Sequence, residues 1–250
     1  MADETMIISK ETLRRLANDI KMINRNPLHS HGIYYEHSET DILSGRAMII
    51  GSEGTPYERG YYFFKLIFPQ NYPHSPPTVT FLTNGSDYVR IHPNLYRNGK
   101  TCLSLLNTWH GQSATDRWTG CQTISSVLLT LSSILTNDPL QHEPGIRKDH
   151  PEFNIYTFIV EYINIKLAII DILSENMLPT EFNELRTIAL HDRKNNVDKI
   201  KKIFNEASAK FISQYNTNKC VLNTQIYKNQ CNINYDTLSI RLDTTLDTAP

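Results

Sequence analysis

The groups in this chain whose types and spacing could do chemistry converge on one thiol. Cys102 ends the run His92-Pro93-Asn94-Leu95-Tyr96-Arg97-Asn98-Gly99-Lys100-Thr101-Cys102, where a rigid His-Pro-Asn turn leads through a glycine-bearing loop to the sulfur. A thiolate is a strong nucleophile toward acyl carbons, so covalent acyl chemistry is what such a residue offers. A lone cysteine is more often a buried and inert packing group, and it is the preceding turn and loop that set Cys102 apart. Cys121, Cys220 and Cys231 lie far apart and form no CxxC pair, which argues against a zinc knuckle or a dense disulfide framework. No bound cofactor and no metal are expected. A protease would need a histidine base near the thiol in space; His110 and His142 are open to that role, but nothing else in the chain resembles a protease.

Composition narrows the classes further. With 250 residues, 40% hydrophobic and 20% charged, the chain can bury a full core. Its formal charge of -1, without a block of like charges, gives no footprint for nucleic acid or an anionic membrane surface. Proteins are the expected partners. No apolar run reaches the roughly 18 residues of a membrane span, and the acidic start MADET lacks a signal core. The expected location is cytoplasmic, or nuclear as well.

The elements that must hold the thiol follow from periodicity. Leu13, Leu16, Ile20 and Ile23 fall at helical spacing, with Ser9 or Thr12 as cap and Asn26-Pro27 as stop. Short aromatic and β-branched runs at 33–36, 47–50, 61–68 and 78–82 predict four strands in an antiparallel meander. Residues 84–121 are too long and aperiodic for an idle connection, and the periodicity over 122–136 predicts a helix that Asp138-Pro139 ends. Beyond Pro151, Ile155, Phe158, Ile159, Tyr162, Ile163, Leu167 and Ile170 make one helical stripe. Ile200, Ile203, Phe204, Phe211 and Ile212 make another, expected to be buried. The tail from Asn216 shows one weak alternation around Leu238, Ile240 and Leu242. The fold class read from this order is α+β, with a core over 11–175 and a helical carboxy-terminal extension over 176–250. A chain truncated after about residue 180 is expected to stay folded.

On these residues the sequence resembles the ubiquitin-conjugating (E2) family, whose mark is a His-Pro-Asn triplet with a cysteine eight residues after the asparagine. Tyr72-Pro73-His74-Ser75-Pro76-Pro77 is similar to the family's Tyr-Pro-x-x-Pro-Pro segment. Trp118 stands where a tryptophan follows the active cysteine, and Asp138-Pro139-Leu140 where the segment after the second helix brings an acidic group toward the thioester. Leu103 to Trp109, Glu143-Pro144-Gly145 and the run around Asn234-Tyr235-Asp236 resemble a subgroup with a long carboxy-terminal extension.

The resemblance implies a UBC-like fold and a thioester of ubiquitin, or of a ubiquitin-like modifier, on Cys102. ATP would be consumed by a partner activating enzyme, and a ubiquitin ligase is a further candidate partner. Asn94 is implied as the oxyanion donor or as the residue that shapes the loop, and Asp138 as the group that orients the acceptor amine. His92 reads as a structural residue of the turn, Ser104 as a neutral loop serine that could line the acceptor path, and Trp118 as a supporting residue. His74 and Thr119-Gly120-Cys121 depart from the family's usual ligase surface, and His110 to Arg117 reads as a longer loop beside Cys102. Cys121 reads as a small packing residue. The alternative is a non-catalytic ubiquitin-binding module of the same fold; inactive relatives lack the cysteine, which this chain keeps.

Overall fold

The computed structural model describes residues 8–84, 89–109, 117–174 and 177–247. Helix α1 (Lys10–Arg25) starts where the Ser9 hydroxyl accepts the Thr12 N–H at 3.0 Å, and it buries Leu16 and Ile23. Its polar face is anchored too. Arg15 pairs with Asp19 at 2.9 Å and donates to the Gly120 and Gln122 carbonyls, and the Tyr72 hydroxyl donates to Asp19.

Strands β1 (Ile33–His37), β2 (Ser44–Ile50), β3 (Tyr61–Ile67) and β4 (Thr78–Phe81) form the expected antiparallel meander, in register Ile33↔Ile49, Ala47↔Phe64 and Phe64↔Phe81. Successive side chains of a strand point to opposite faces. Here both faces are buried, which explains why β3 reads Tyr61-Tyr62-Phe63-Phe64 with no polar alternation. Ala47, Ile49, Tyr62 and Phe64 face the main core. Met48, Ile50, Tyr61 and Phe63 are covered on the other side by Ile172, Leu173, Phe182, Leu185 and Ala189.

Helix α2 (Ile124–Ser133) is shorter than the periodicity suggests, because Gln122 lies ahead of it and the Thr123 and Ser126 side chains form a capping box. It buries Ile124, Val127, Leu128 and Leu131 in the main core. Helix α3 (Phe153–Ile163) continues into a wide π-helical stretch, Asn164–Ile170. That bulge sits where a buried polar residue needs partners: Asn164 accepts from the Tyr62 hydroxyl at 2.7 Å and donates to the Glu58 carbonyl at 2.8 Å. Gly60 permits the approach, since a Cβ there would lie 2.0 Å from Asn164 Oδ1.

The carboxy-terminal part departs from the all-helical expectation. Helices α4 (Asn183–Asn195) and α5 (Val197–Tyr215) are followed by an antiparallel hairpin of β5 (Lys219–Thr224) and β6 (Asn229–Asn234), then by α6 (Tyr235–Asp247). The Leu238–Ile240–Leu242 alternation is not a strand. Leu238, Leu242 and Leu246 repeat every four residues and are buried on one face of α6, while Ile240 is 68% exposed. The α5 stripe is also only partly buried: Ile200 and Phe211 are enclosed, Ile203 and Phe204 half-buried, and Ile212 is 43% exposed. Ile200, Phe211, Leu222, Ile233, Tyr235 and Leu238 belong to the same apolar cluster as Leu16 and Phe64, so the extension and the sheet share one core.

Candidate active site

The loop that ends at the thiol is closed by its own hydrogen bonds. The His92 side chain accepts the Asn94 N–H on Nδ1 at 3.0 Å, and the Leu95 N–H returns to the His92 carbonyl at 3.1 Å. Asn94 and Cys102 then grip each other. The Cys102 N–H donates to the Asn94 carbonyl at 2.9 Å, and Asn94 Nδ2 donates to the Cys102 carbonyl at 2.6 Å. Between them Gly99 turns the chain at a φ of 84°, and its carbonyl accepts the Phe81 N–H at 2.7 Å, tying the loop to β4. A Cβ on Gly99 would meet the Phe81 carbonyl at 2.8 Å.

His92 is fully buried, and burial, reinforced by His142 and Arg90, holds its pKa well below the usual histidine range. Its Nδ1 is occupied as an acceptor, so the single proton of the neutral ring sits on Nε2. The His142 ring lies 4.9 Å away, and its Nε2 is 3.2 Å from the Thr136 hydroxyl; burial lowers its pKa as well. His142 closes the 3₁₀ turn Pro139–His142 that Asp138 opens, so the ring pair brings the Asp138 segment against the base of the His-Pro-Asn turn. The Asp138 carboxylate is bound by the Lys148 ammonium at 2.6 Å.

The thiol itself is a free cysteine, and the residue is only 2% exposed. Ser104 begins a short 3₁₀ turn two residues on and is half-buried. Trp118 joins two parts of the site: its N–H bonds Asn107 Oδ1 at 3.1 Å, and its indole donates to the Pro73 carbonyl at 2.6 Å. His74 is exposed and lies 3.2 Å from Glu11 on α1. Cys121, read from the sequence as a packing residue, is exposed in the turn before α2. His110 and residues 111–116 of the long loop lie outside the described residues.

Sequence reasoning missed a second layer around the loop. Arg90 stacks between the rings of Tyr96 and Tyr227, at 3.6 and 4.2 Å, and donates to the His92 and Pro93 carbonyls. Asn229 in β6 meets both backbone groups of Arg90. These partners stand more than 130 residues apart in the chain, and no spacing in the sequence marks them as neighbours.

A thiol on a closed loop, beside a four-stranded meander backed by α1 and α2, defines a class. Residues 15–153 match the ubiquitin-conjugating enzyme family, and the chain belongs to that family. Among curated relatives it is similar to ubiquitin-conjugating enzyme E2 Z of Homo sapiens, with 36% identity over 165 residues, 65% of this chain and 45% of that protein. The E2 Z protein of Danio rerio is likewise 36% identical over 167 residues, 66% of this chain and 49% of that one. The chain thus spans about half the length of these relatives. Among solved structures, human ubiquitin-conjugating enzyme E2 G1 is 28% identical, covers 52% of this chain and 97% of its own, and superposes with a TM-score of 0.43.

Proposed function

We propose that this chain accepts ubiquitin, or a ubiquitin-like modifier, from an activating enzyme as a thioester on Cys102 and passes it to a lysine amine or to a ligase cysteine. The observation that carries this reading is the reciprocal Asn94–Cys102 pairing, which fixes the thiol on its loop in a chain of the conjugating family.

Loading is an exchange in which Cys102 sulfur attacks the incoming thioester carbonyl and the activating enzyme's thiolate leaves. The two sulfurs have similar basicity, so no strong base is required beside Cys102. Transfer to lysine is harder, because an amine of reference pKa about 10.4 must shed a proton and the carbonyl becomes an oxyanion. Asn94 Nδ2 carries two N–H donors: one holds the Cys102 carbonyl, and the other is the donor available to the oxyanion. Asp138 already binds an ammonium group, that of Lys148, which is the chemistry an acceptor lysine presents. An acceptor must displace Lys148 or share the carboxylate with it.

The test is a loading assay with the full chain, ATP, ubiquitin and a panel of activating enzymes. The expected product is an ATP-dependent adduct that reductant removes. Failure to form it with every activating enzyme, for ubiquitin and for ubiquitin-like modifiers alike, contradicts the reading.

A further inference from the structure

The turn between β5 and β6 docks on the active loop from the far end of the chain. Asn229 is buried and bonds Arg90 on both sides, its Oδ1 accepting the Arg90 N–H at 2.9 Å and its Nδ2 donating to the Arg90 carbonyl at 3.2 Å. That Oδ1 also accepts from Arg97 at 2.8 Å, and the same guanidinium nitrogen donates to the Tyr227 and Lys228 carbonyls. Arg90 and Arg97 flank the His92-Pro93-Asn94 turn, so this contact grips the stem of the Cys102 loop.

The turn also holds the Asp138 side of the site. The Tyr227 hydroxyl donates to Glu143, the residue that caps the 3₁₀ turn opened by Asp138. Burial and that carboxylate keep the phenol protonated, as a donor. The Gln225 and Ile226 N–H groups donate to the Glu152 carboxylate at 2.5 and 2.9 Å. Tyr227 and Lys228 have φ values of 61° and 49°, the left-handed region that residues with a Cβ enter only when their surroundings impose it. One ring therefore touches both halves of the site, with its face on Arg90 and its hydroxyl on Glu143.

We propose that the β5–β6 turn is a brace that sets the Cys102 loop against the Asp138 turn, with Asn229 and Tyr227 as positioning residues for transfer to an amine. The proposal rests on the function given above. Thiol exchange at the loaded sulfur asks little of Asp138, whereas attack by lysine needs the loop and the carboxylate in register, and small misplacements are costly there. A turn that served folding alone would affect both reactions alike.

The experiment loads the full chain and its variants with ubiquitin, removes the activating enzyme and ATP, and follows release to free lysine and, in parallel, to a small thiol. Tyr227→Phe removes a single hydroxyl and is the deciding variant. Asn229→Ala is the stronger one, and Val221→Ser, on the exposed face of the hairpin, is the control. The expected result is that Tyr227→Phe slows release to lysine by about tenfold, with thiol release unchanged, and that the control changes neither. Equal rates for Tyr227→Phe and the unmodified chain, or equal slowing of both reactions, would overturn the brace. An unmodified chain that never loads would overturn the proposed function and the brace with it.

Discussion

A chain ending at residue 180 is expected to lose its cooperative fold. The order of elements in the sequence suggests a self-sufficient core before that point, but the packing argues otherwise. Such a cut removes Phe182, Leu185 and Ala189 from the cover of Met48, Ile50, Tyr61 and Phe63 on the outer face of the sheet and leaves only Ile172 and Leu173 of that layer. It also strips Ile200, Phe211, Leu222, Ile233, Tyr235 and Leu238 from the main cluster. Burying one large apolar side chain stabilises by about 1.5–3 kcal/mol, while a whole domain is stable by only about 5–15 kcal/mol. The partial loss of cover on the sheet, added to the six side chains stripped from the main cluster, is therefore worth a large part of the total. The expected outcome is an insoluble product or one without near-ultraviolet circular dichroism and without a sharp thermal transition. A soluble fragment that melts cooperatively within a few degrees of the full chain would show that the extension is dispensable to the core.

Alanine at position 102 is expected to abolish the adduct, and serine to change its chemistry. The Cys102→Ser variant would offer an oxygen on the same loop, held by the same Asn94 contacts, because these use the backbone at that position. The product would then be an oxyester, formed slowly because the hydroxyl is a weaker nucleophile, and it would survive reductant. Cys121 makes this a demanding test, since it is exposed and can compete for the modifier. A reductant-sensitive adduct that persists in Cys102→Ala and maps to Cys121, Cys220 or Cys231 would place the nucleophile elsewhere.

The parts of this protein legible in its sequence are those fixed by local pattern. Leu16 and Ile23 mark the buried face of α1, Ser9 its cap, and the aromatic and β-branched runs mark the four strands in their order. The His92–Asn94–Cys102 spacing singles out the loop because a short closed turn needs those residues close in the chain. The hairpin was not legible: Asn229–Asn234 is rich in asparagine, a poor strand former, and the turn before it is made by Tyr227 and Lys228 where glycine would be the usual signal. The weak Leu238–Ile240–Leu242 alternation carried no information of its own, since over five residues a two-residue period cannot be told from one turn of helix, and the segment is helical as the extension was expected to be. The burial of both sheet faces was hidden because α4 reaches β1–β3 from a distant part of the chain. Arg90, Asn229 and Tyr227 are brought together by the same long-range folding, which single-sequence spacing does not encode.

The central claim is that Cys102 carries an acyl group which the surrounding residues deliver to an amine. It is tested most directly by isolating the loaded protein and measuring its rate of release against free lysine concentration, for the unmodified chain and for Asn94→Ala and Asp138→Ala. The expected rate rises with lysine, and the expected product is ubiquitin joined to the amine. Asn94→Ala should slow that rate by on the order of 10²-fold, the loss typical of removing one oxyanion donor, and Asp138→Ala should slow it by removing the carboxylate that orients the amine, while exchange with a small thiol is largely retained in both. Release that does not depend on lysine concentration would contradict delivery to an amine and leave a ligase cysteine as the acceptor.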